Sequence, residues 1–372
     1  MVIIYRYISF NFIKSFFIVL LIMSTLAWIT QAIGYIGLFI DKERTLIDFF
    51  KLTVLMFPWV ISMLIPASLL IASVLSIDRM TKDSETVILD TSGVSLFQKV
   101  YPYIAITLLV TILHYSLTLY LAPWSMSHFR DNINEIRSDI ISSSFKKNQF
   151  NTPNNDYTIY VSEKSEVGNF IGILIKDNNS DEITVTYTAK NGRLIDIEGQ
   201  IILEMSDGII FSENKYANNS INRISFENYK MNLTNIFDFA ESKYSKLSEK
   251  SLTELIEAIS SEIDINASST QIMNETHIRI ASPLYAVAFI FISLFYMQKN
   301  ANFRNINIKY FFYVGSIAFL LKLSGSILAN ELKEQNLYYI HYIPPISVIS
   351  LYLIYLMTYN LKEFQRVNEI IK

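Results

Sequence analysis

The chain has 372 residues, of which 51% are hydrophobic and only 17% charged, with a formal net charge of −3 at pH 7. This composition is too apolar for an ordinary soluble domain and too polar for a wholly membrane-embedded protein, so it predicts both membrane-spanning and water-exposed parts. The near-neutral charge gives no reason to expect nucleic acid as a partner, and the lack of cysteine excludes disulfides, thiolate metal sites and cysteine nucleophiles.

The first long apolar run is Phe16–Ile40, which is long enough to cross a bilayer and follows the cations Arg6 and Lys14. A cleaved signal peptide is the competing interpretation of such a start. The run, however, is far longer than the roughly 7–15 apolar residues of a signal peptide, and no small-x-small cleavage motif ends it. We therefore expect a retained membrane span.

Two more apolar runs follow, Leu52–Ile77 and Val100–Phe129. The earlier one contains Pro58 and Pro66, which a span tolerates because neighbouring helices satisfy the freed carbonyls, so a kink is expected there. After the later run, the polar residues Arg130–Ser144 predict a helix that continues out of the membrane.

The polar stretch Asp78–Gly93 separates these two runs. A hairpin of two spans needs only a turn, whereas this stretch predicts a compact helix lying on the membrane surface. Asp83 or Ser84 is suited to cap its start, and the acidic Glu85 lies in its first turn. Gly93 is suited to end it in a left-handed conformation. Two interpretations stay open: a socket on which a soluble motor protein pushes, or an ordinary interfacial connector.

Strand signals dominate residues 148–233, after the third run. The candidate strands are Tyr157–Val161, Phe170–Lys176, Glu182–Ala189, Gln200–Met205 and Arg223–Leu233. The dipeptides Asn191-Gly192, Glu198-Gly199 and Asp207-Gly208 are typical of turns. Six or seven short strands predict an antiparallel sandwich or open roll. The apolar faces of these strands either form a core or line a groove for acyl chains.

Helical and membrane character then returns. Two capping-box patterns predict helix starts, Ser95 with Gln98 before the third run and Ser251 with Glu254 after the strands. Three further apolar runs complete a layout of three spans, a β insert and three spans: Ile280–Gln298, Tyr310–Asn330 and Ile340–Leu361.

The distribution of Lys and Arg predicts the orientation, because cytoplasmic loops are enriched in them. The N-terminal stretch, the second and fourth loops and the C-terminal tail carry most of them, at Arg6, Lys14, Arg79, Lys82, Lys99, Lys299, Arg304, Lys309, Lys362, Arg366 and Lys372. The first and fifth loops hold only Lys42, Arg44, Lys51 and Lys333. Both termini and the stretch Asp78–Gly93 are therefore expected in the cytoplasm, and the β insert on the opposite side.

No enzyme motif is found in the sequence. It contains neither G-x-x-x-x-G-K-[ST] nor G-x-G-x-x-G, and neither G-x-S-x-G nor H-E-x-x-H. With only four histidines a His-rich metal site is not expected, and His114 and His341 fit hydrogen-bonded interior residues better than proton carriers. We expect a non-catalytic chain with no cofactor of its own, so that any ATP is hydrolysed by another chain.

Three cations are candidate contacts for an anionic lipid. Lys322 interrupts the fifth run, where a charge costs at least about 2.5 kcal/mol and should face protein, a cavity or an anionic ligand. The alternative is that its long side chain reaches the nearby interface. Lys42 and Arg44 follow the first run, where they either meet headgroup phosphates or lie in a solvated loop with Asp41 and Glu43 as partners.

Several local stretches, in this order, resemble the LptF/LptG family, the permease halves of the lipopolysaccharide-export ABC transporter. They are Arg6-Tyr7-Ile8; Pro66-Ala-Ser-Leu-Leu-Ile-Ala; Asp78-Arg79 with Asp83-Ser84-Glu85 and Thr91-Ser92-Gly93-Val94-Ser95; and Glu275-Thr-His277-Ile-Arg279-Ile-Ala-Ser-Pro283-Leu. The third resembles the family's R-L-x-x-x-S-E-x-x-x-x-x-x-x-G coupling helix, with Met80 in place of leucine. The stretch Leu121-Ala-Pro123-Trp124-Ser125 is more similar to the LptF half.

The resemblance implies an α-helical integral membrane protein of six spans (3+3) with an inserted antiparallel, β-jellyroll-like periplasmic domain. Residues 1–130 would hold spans 1–3 with a cytoplasmic coupling helix at 78–94, residues 131–265 the periplasmic domain with flanking helices, and residues 266–372 spans 4–6. A cytoplasmic ATPase dimer would bind the coupling helix, and a paralogous permease half would complete a shared cavity.

The resemblance also implies residue roles. Arg79, Ser84, Glu85 and Gly93 would couple the chain to the ATPase, while Glu275, Arg279 and Pro283 form the motif at the start of the fourth span. Lipopolysaccharide would leave the bacterial inner membrane sideways, between the first span of one half and the fifth of the other. It would then pass through the β domain to periplasmic bridge proteins.

Two other functions stay open. One is a membrane-anchored binding or scaffold protein whose β domain captures an envelope partner. The other is a mechanotransmitter of the ABC type that moves no lipid through its spans.

Overall fold

The computed structural model describes residues 2–36, 39, 45–154, 156–164, 169–180, 182–197, 200–214, 221–233, 247–261, 268–299, 308–331 and 338–371. The chain forms two compact units. The helical unit comprises Met1–Gly34, Phe50–Ser127 and Leu247–Lys372, and the sheet unit comprises Tyr35–Phe49 and His128–Lys246.

The described α-helices are α1 Val2–Ile33, α2 Leu46–Val54, α3 Phe57–Lys82, α4 Glu85–Thr91, α5 Leu96–Ser116, α6 Ala122–Ser144, α7 Leu252–Ser261, α8 Ser269–Ala281, α9 Leu284–Lys299, α10 Ile308–Glu331 and α11 Ile343–Ile371. A π-helical turn, Leu117–Leu121, joins α5 to α6, and short 3₁₀ turns at Leu247–Glu249 and Tyr338–Tyr342 precede α7 and α11.

Among the described residues, four helical stretches are long and apolar enough to cross a membrane: Val2–Ile33, Phe57–Lys82, Leu96–Asp139 and Tyr338–Tyr359. The pair α8 and α9, bent by 42° at the break between them, gives a fifth when the two helices are counted as one broken span. The apolar part of α10, Phe311–Ile327, is shorter. The chain is therefore a membrane protein with four or five such helices, each of which overlaps a run predicted from the sequence.

The ends of the early helices differ from the apolar runs. The helix α1 begins at Val2, well before the apolar run at Phe16, because Arg6 and Lys14 are compatible with a helix and interrupt only the hydropathy. The second run is split, since α2 ends at Val54 and Pro58 occupies the first turn of α3. Pro66 lies inside α3, which continues past it.

Capping boxes begin three helices. Ser95 with Gln98 starts α5, and Ser251 with Glu254 starts α7, as the sequence predicts. A third box, Ser268 with Gln271, starts α8. In each box the side chain at the cap accepts from a backbone N–H and the residue three positions on accepts in return, which satisfies two otherwise unpaired donors.

Six strands form one antiparallel sheet in the order β1 Phe150–Asn154, β2 Tyr157–Lys164, β3 Asn169–Asp177, β4 Ile183–Ile197, β5 Gln200–Asn214 and β6 Ile221–Asn232. Each strand pairs with its neighbour in sequence. One face of the sheet packs with the end of α6 into a core in which Phe145 stacks on Phe170, with their ring centroids 4.7 Å apart.

A line of interrupted pairing, which we call the crease, crosses the sheet from β2 to β6. The pairs that would join Ser162, Gly172, Lys190, Asp207 and Glu227 are missing from otherwise continuous ladders. Gly172 and Asp207 have φ of +65° and +54°, which breaks the alternation of the chain. The side of β3 that faces the core consequently changes at the crease.

Two of the three predicted turns are wrong, and both lie at the crease. Asn191-Gly192 lies inside β4 and Asp207-Gly208 inside β5, and neither is a turn. Asp207 lies in the crease with a left-handed backbone, and Gly192 and Gly208 lie beside it where packing leaves no room for a Cβ. These are the conditions that favour Asn, Asp and Gly in a turn as well. The third predicted turn, Glu198-Gly199, lies outside the described residues.

Candidate functional site

The coupling segment, residues 78–94, is not one compact helix. Its first five residues form the last turn of α3, and only α4 is a separate helix. The break lies at Ser84, which has φ of +59° and makes no capping hydrogen bond with its side chain. Ser84 therefore occupies the N-cap position of α4, as one of the two predicted residues, but its side chain does not cap the helix. Gly93, with φ of +75°, adopts the left-handed conformation expected at the helix end.

Three side chains meet where α4 begins. The Tyr7 hydroxyl of α1 donates to Glu85 Oε1 at 2.5 Å, and Arg79 Nη2 donates to the same hydroxyl at 3.3 Å. Arg79 Nε also lies 3.8 Å from Asp83 Oδ2. The structure thus brings two predicted coupling residues together through a tyrosine from the first helix. Hydrogen bonds to charged groups are stronger than neutral ones, so this network fixes the start of α4.

The far end of α4 is held to the next span. Asp90 forms an ion pair with Lys99 in the first turns of α5. Between these two ties α4 has no buried residue, and Val87 and Ile88 are 55% and 60% exposed. A short helix held at both ends and apolar on its open side is a surface suited to docking.

A groove of about 290 Å³ separates α4 from α1 and the end of α3. Its lining is apolar except for Glu85 and the Tyr7 hydroxyl, and consists of Ile3, Ile4, Tyr7, Ile8, Met80, Glu85, Ile88 and Leu89. The second oxygen of Glu85, Oε2, is buried and makes no hydrogen bond within the described part of the chain. Glu85 thus keeps one unsatisfied acceptor oxygen next to the apolar lining of the groove.

The candidate lipid contact Lys322 lies in α10 with its Nζ 4.1 Å from the centroid of the Tyr285 ring, which is a cation–π contact. Tyr285 is buried against α10, where Gly325 leaves room for it: a Cβ at Gly325 would lie 2.1 Å from the Tyr285 hydroxyl oxygen. An ammonium held on an aromatic face keeps its N–H donors available for an anion. Lys42 and Arg44 lie outside the described residues.

The motif at the start of the fourth span holds a buried cation. Arg279 is only 5% exposed; its Nε donates to Glu275 Oε1 at 2.9 Å, and Nη1 and Nη2 donate to the backbone carbonyls of Lys250 and Leu247 at 2.7 and 2.5 Å. Pro283 lies at the 42° bend between α8 and α9. In this structure Arg279 of the motif thus connects α8 to residues 247–250, the segment that precedes α7.

The two histidines singled out from the sequence are both buried. His341 Nε2 lies 2.8 Å from Asn274 Oδ1, as expected for a hydrogen-bonded interior residue. His114 lies beside the backbone of Ser62, whose carbonyl lacks its helical donor because Pro66 has no N–H. No group of three or more potential metal ligands occurs among the residues that the structure describes.

Sequence reasoning missed the role of Tyr7 in this site. The residue was noted only as part of Arg6-Tyr7-Ile8, and it lies 78 positions from Glu85. The partners of Arg279 were missed too, because backbone carbonyls have no signature in the sequence.

The sequence of the chain is similar to those of known proteins. A relative from Rickettsia prowazekii (strain Madrid E), named "Uncharacterized protein RP871", is 27% identical over 283 residues, which cover 75% of this chain and 77% of the relative. The family described as "Lipopolysaccharide export system permease LptF/LptG" matches residues 6–359, which is nearly the whole chain and includes the coupling segment. The chain therefore belongs to the LptF/LptG family of lipopolysaccharide export permeases.

Proposed function

We propose that this chain is the LptF-like permease subunit of an ABC transporter that extracts lipopolysaccharide from the bacterial inner membrane and passes it to a periplasmic bridge. The observation that carries the proposal is α4, a short helix anchored at both ends with its apolar side exposed. Such a helix at the end of a membrane span suits a separate ATPase, and the sequence itself has no phosphate-binding loop.

The partners follow from the family. A cytoplasmic ATPase dimer binds the coupling segment, and a paralogous LptG-like half shares the membrane cavity. The bias of Lys and Arg supports cytoplasmic termini and a cytoplasmic coupling segment. The sheet unit then corresponds to the periplasmic, jellyroll-like domain, from which bridge proteins receive the lipid. Six spans, with α10 as the fifth, complete this topology.

The lipid is proposed to enter sideways at the spans Phe16–Ile40 and Tyr310–Asn330. Lys322 would bind a phosphate of the lipid while resting on Tyr285, since an ammonium with free donors pairs well with phosphate oxygens. Lys42 and Arg44 would contribute at the outer end of the first span. The first span and α10 then act as lateral gates around a cavity shared with the paralogous half.

The test is ATP-driven release of lipopolysaccharide from proteoliposomes containing the complex purified through a tag on this chain. Glu85→Ala is expected to lose ATPase binding and lipid release together, because Glu85 is the charged group among the described residues that line the groove beside α4. Glu85→Gln is the matched control, since the amide oxygen still accepts from Tyr7 while the charge is lost. Unchanged binding and release in Glu85→Ala would refute the role of the coupling segment.

A tagged chain that purifies from membranes without any ATPase would refute the transport proposal and favour the scaffold function instead. Release without photocrosslinks from α1 or α10 to the lipid would favour the mechanotransmitter. The three functions are thus separated by one preparation.

A further inference from the structure

Tyr7 joins the coupling segment to the first helix. Its hydroxyl gives its proton to Glu85 Oε1 at 2.5 Å and accepts a hydrogen bond from Arg79 Nη2 at 3.3 Å. One oxygen thereby connects an anion on α4, a cation at the end of α3 and the backbone of α1. Because both partners carry charge, each hydrogen bond is stronger than one between neutral groups.

Packing holds α4 against α1 only loosely: Leu89 of α4 is half-buried against a core that includes Ile8 and Phe12 of α1. The helix α4 has no buried residue, and the space between the two helices is the groove of about 290 Å³. Apolar side chains across an open groove slide past one another more readily than interdigitated ones, because they lack close contacts in both directions. Within the described residues, the hydroxyl of Tyr7 is the polar tie between α1 and α4.

We infer that Tyr7 is the positioning residue that makes the first span follow the coupling segment. This inference rests on the proposed function and deepens it, since it identifies how movement imposed on α4 reaches a span that gates lipid entry. A push on α4 displaces Glu85, and the shared hydroxyl carries α1 with it. The tie between Asp90 and Lys99 carries α5 in the same way from the other end.

The first experiment compares Tyr7→Phe with wild type in proteoliposomes. The variant keeps the ring in the groove and loses only the hydroxyl. ATPase binding and ATP hydrolysis are expected to persist, while lipid released per ATP hydrolysed falls about tenfold, as for the loss of one hydrogen bond to a charged group. A purely structural role would instead lower ATPase binding and hydrolysis in parallel with release.

Tyr5→Phe is the matched control. Tyr5 lies two positions earlier on α1, where its ring is 5.5 Å from that of Tyr101, and its hydroxyl makes no hydrogen bond among the described residues. It loses the same atom without touching the network. Its lipid release per ATP is expected to equal that of wild type.

A second experiment measures the movement directly. The chain has no cysteine, so spin labels can be attached to cysteines introduced at the exposed positions Phe10 of α1 and Thr91 of α4. In wild type the distance between the labels is expected to stay constant between nucleotide-free and ATP-bound states. In Tyr7→Phe the distance should change with nucleotide, because α4 moves and α1 stays behind.

The outcomes separate the two claims. If the wild-type complex releases no lipid, the proposed function fails and the inference fails with it. If wild type releases lipid and Tyr7→Phe matches it in both release per ATP and label distance, only the role of Tyr7 is overturned.

Discussion

The sheet unit is stabilised by contacts between segments that are close in the sequence, and the helical unit by contacts between segments that are far apart in it. Every ladder of the sheet joins strands that are neighbours in sequence. In the helical unit, Ser73 Oγ donates to Ser293 Oγ at 2.7 Å across 220 positions, and the whole sheet lies between them in the chain. The sheet can therefore form from local pairings, whereas the helical unit needs its two halves to find each other.

The two units also differ in which atoms specify the pairing. Strands are joined by backbone hydrogen bonds, so most side chains are replaceable without loss of the ladder. In a membrane helix the backbone bonds are used within the helix, so small residues and a few polar side chains must specify the neighbours. The helical unit consequently depends on a small number of ties, such as those made by Ser73, Tyr7 and Arg279.

The largest effect is expected from a comparison of two arginine–glutamate pairs, one buried in the helical unit and one exposed in the sheet, in which the arginine is replaced and the loss of stability is measured. Arg279→Ala removes a buried cation and leaves Glu275 and two backbone carbonyls without their donor. We expect a loss of about 3–5 kcal/mol in stability, as for breaking a buried ion pair from one side. Thermal unfolding of the full chain in detergent measures it.

The matched control is Arg193→Ala in the sheet, where Arg193 pairs with Glu204 at 2.7 Å but is 63% exposed. Its expected loss is about 0–1 kcal/mol, because water and salt screen an exposed pair. Similar losses for the two variants would contradict the contrast between the units.

A smaller loss of stability is expected at Gly208, a position where the sheet depends on a single residue type. A Cβ at Gly208 would lie 2.3 Å from the Thr188 carbonyl oxygen and 2.2 Å from the ring of Phe226. Gly208→Ala should therefore destabilise the sheet by about 1–3 kcal/mol, as other overpacked sites do. Hydrogen exchange of the amides in β4 and β5 of the full chain reports it.

Gly315→Ala in α10 is the control for Gly208→Ala, because nothing lies within 4 Å of its added Cβ. The exchange in the sheet should be unchanged by it, and α10 should gain up to about 1 kcal/mol from the better helix former. Slower exchange in Gly208→Ala would show that the crease tolerates a side chain.

The same contrast explains which features could be predicted from the sequence. Local signals were sufficient for parts of the five strands β2 to β6, for the capping box at Ser95 and for the left-handed Gly93, because each depends on residues a few positions apart. They did not predict β1, and they ended β4 and β5 too early. The turns predicted at Asn191 and Asp207 were wrong for a local reason as well. A crease inside a strand and a hairpin turn favour the same residue types, Asn, Asp and Gly.

The candidate site was predictable only in part. Arg79 and Glu85 stand out by their spacing, but their shared partner Tyr7 is set by how α1 packs beside α4, which no local pattern encodes. Arg279 likewise has backbone partners about thirty positions away. The single helix expected over residues 78–93 was divided because Ser84 adopts a left-handed conformation, which its residue type does not favour.

The smallest expected effect is a pH dependence confined to the sheet. The hydrogen bond from Arg193, at 2.7 Å, lowers the pKa of Glu204 below its ordinary value of 4.5, with a lesser contribution from Lys230 at 3.6 Å. Because the carboxylate is favoured in the folded state, its contribution is complete above pH 4.5 and is lost as the pH falls through the lowered pKa. Glu204→Gln should thus speed hydrogen exchange in β4 and β5 slightly at neutral pH, and the difference from wild type should vanish in acid. Added salt should also reduce it, since exposed charges are screened. A difference that persisted at low pH would mean that the side chain acts by packing rather than by charge, and the sheet would then share the dependence on single side chains that distinguishes the helical unit.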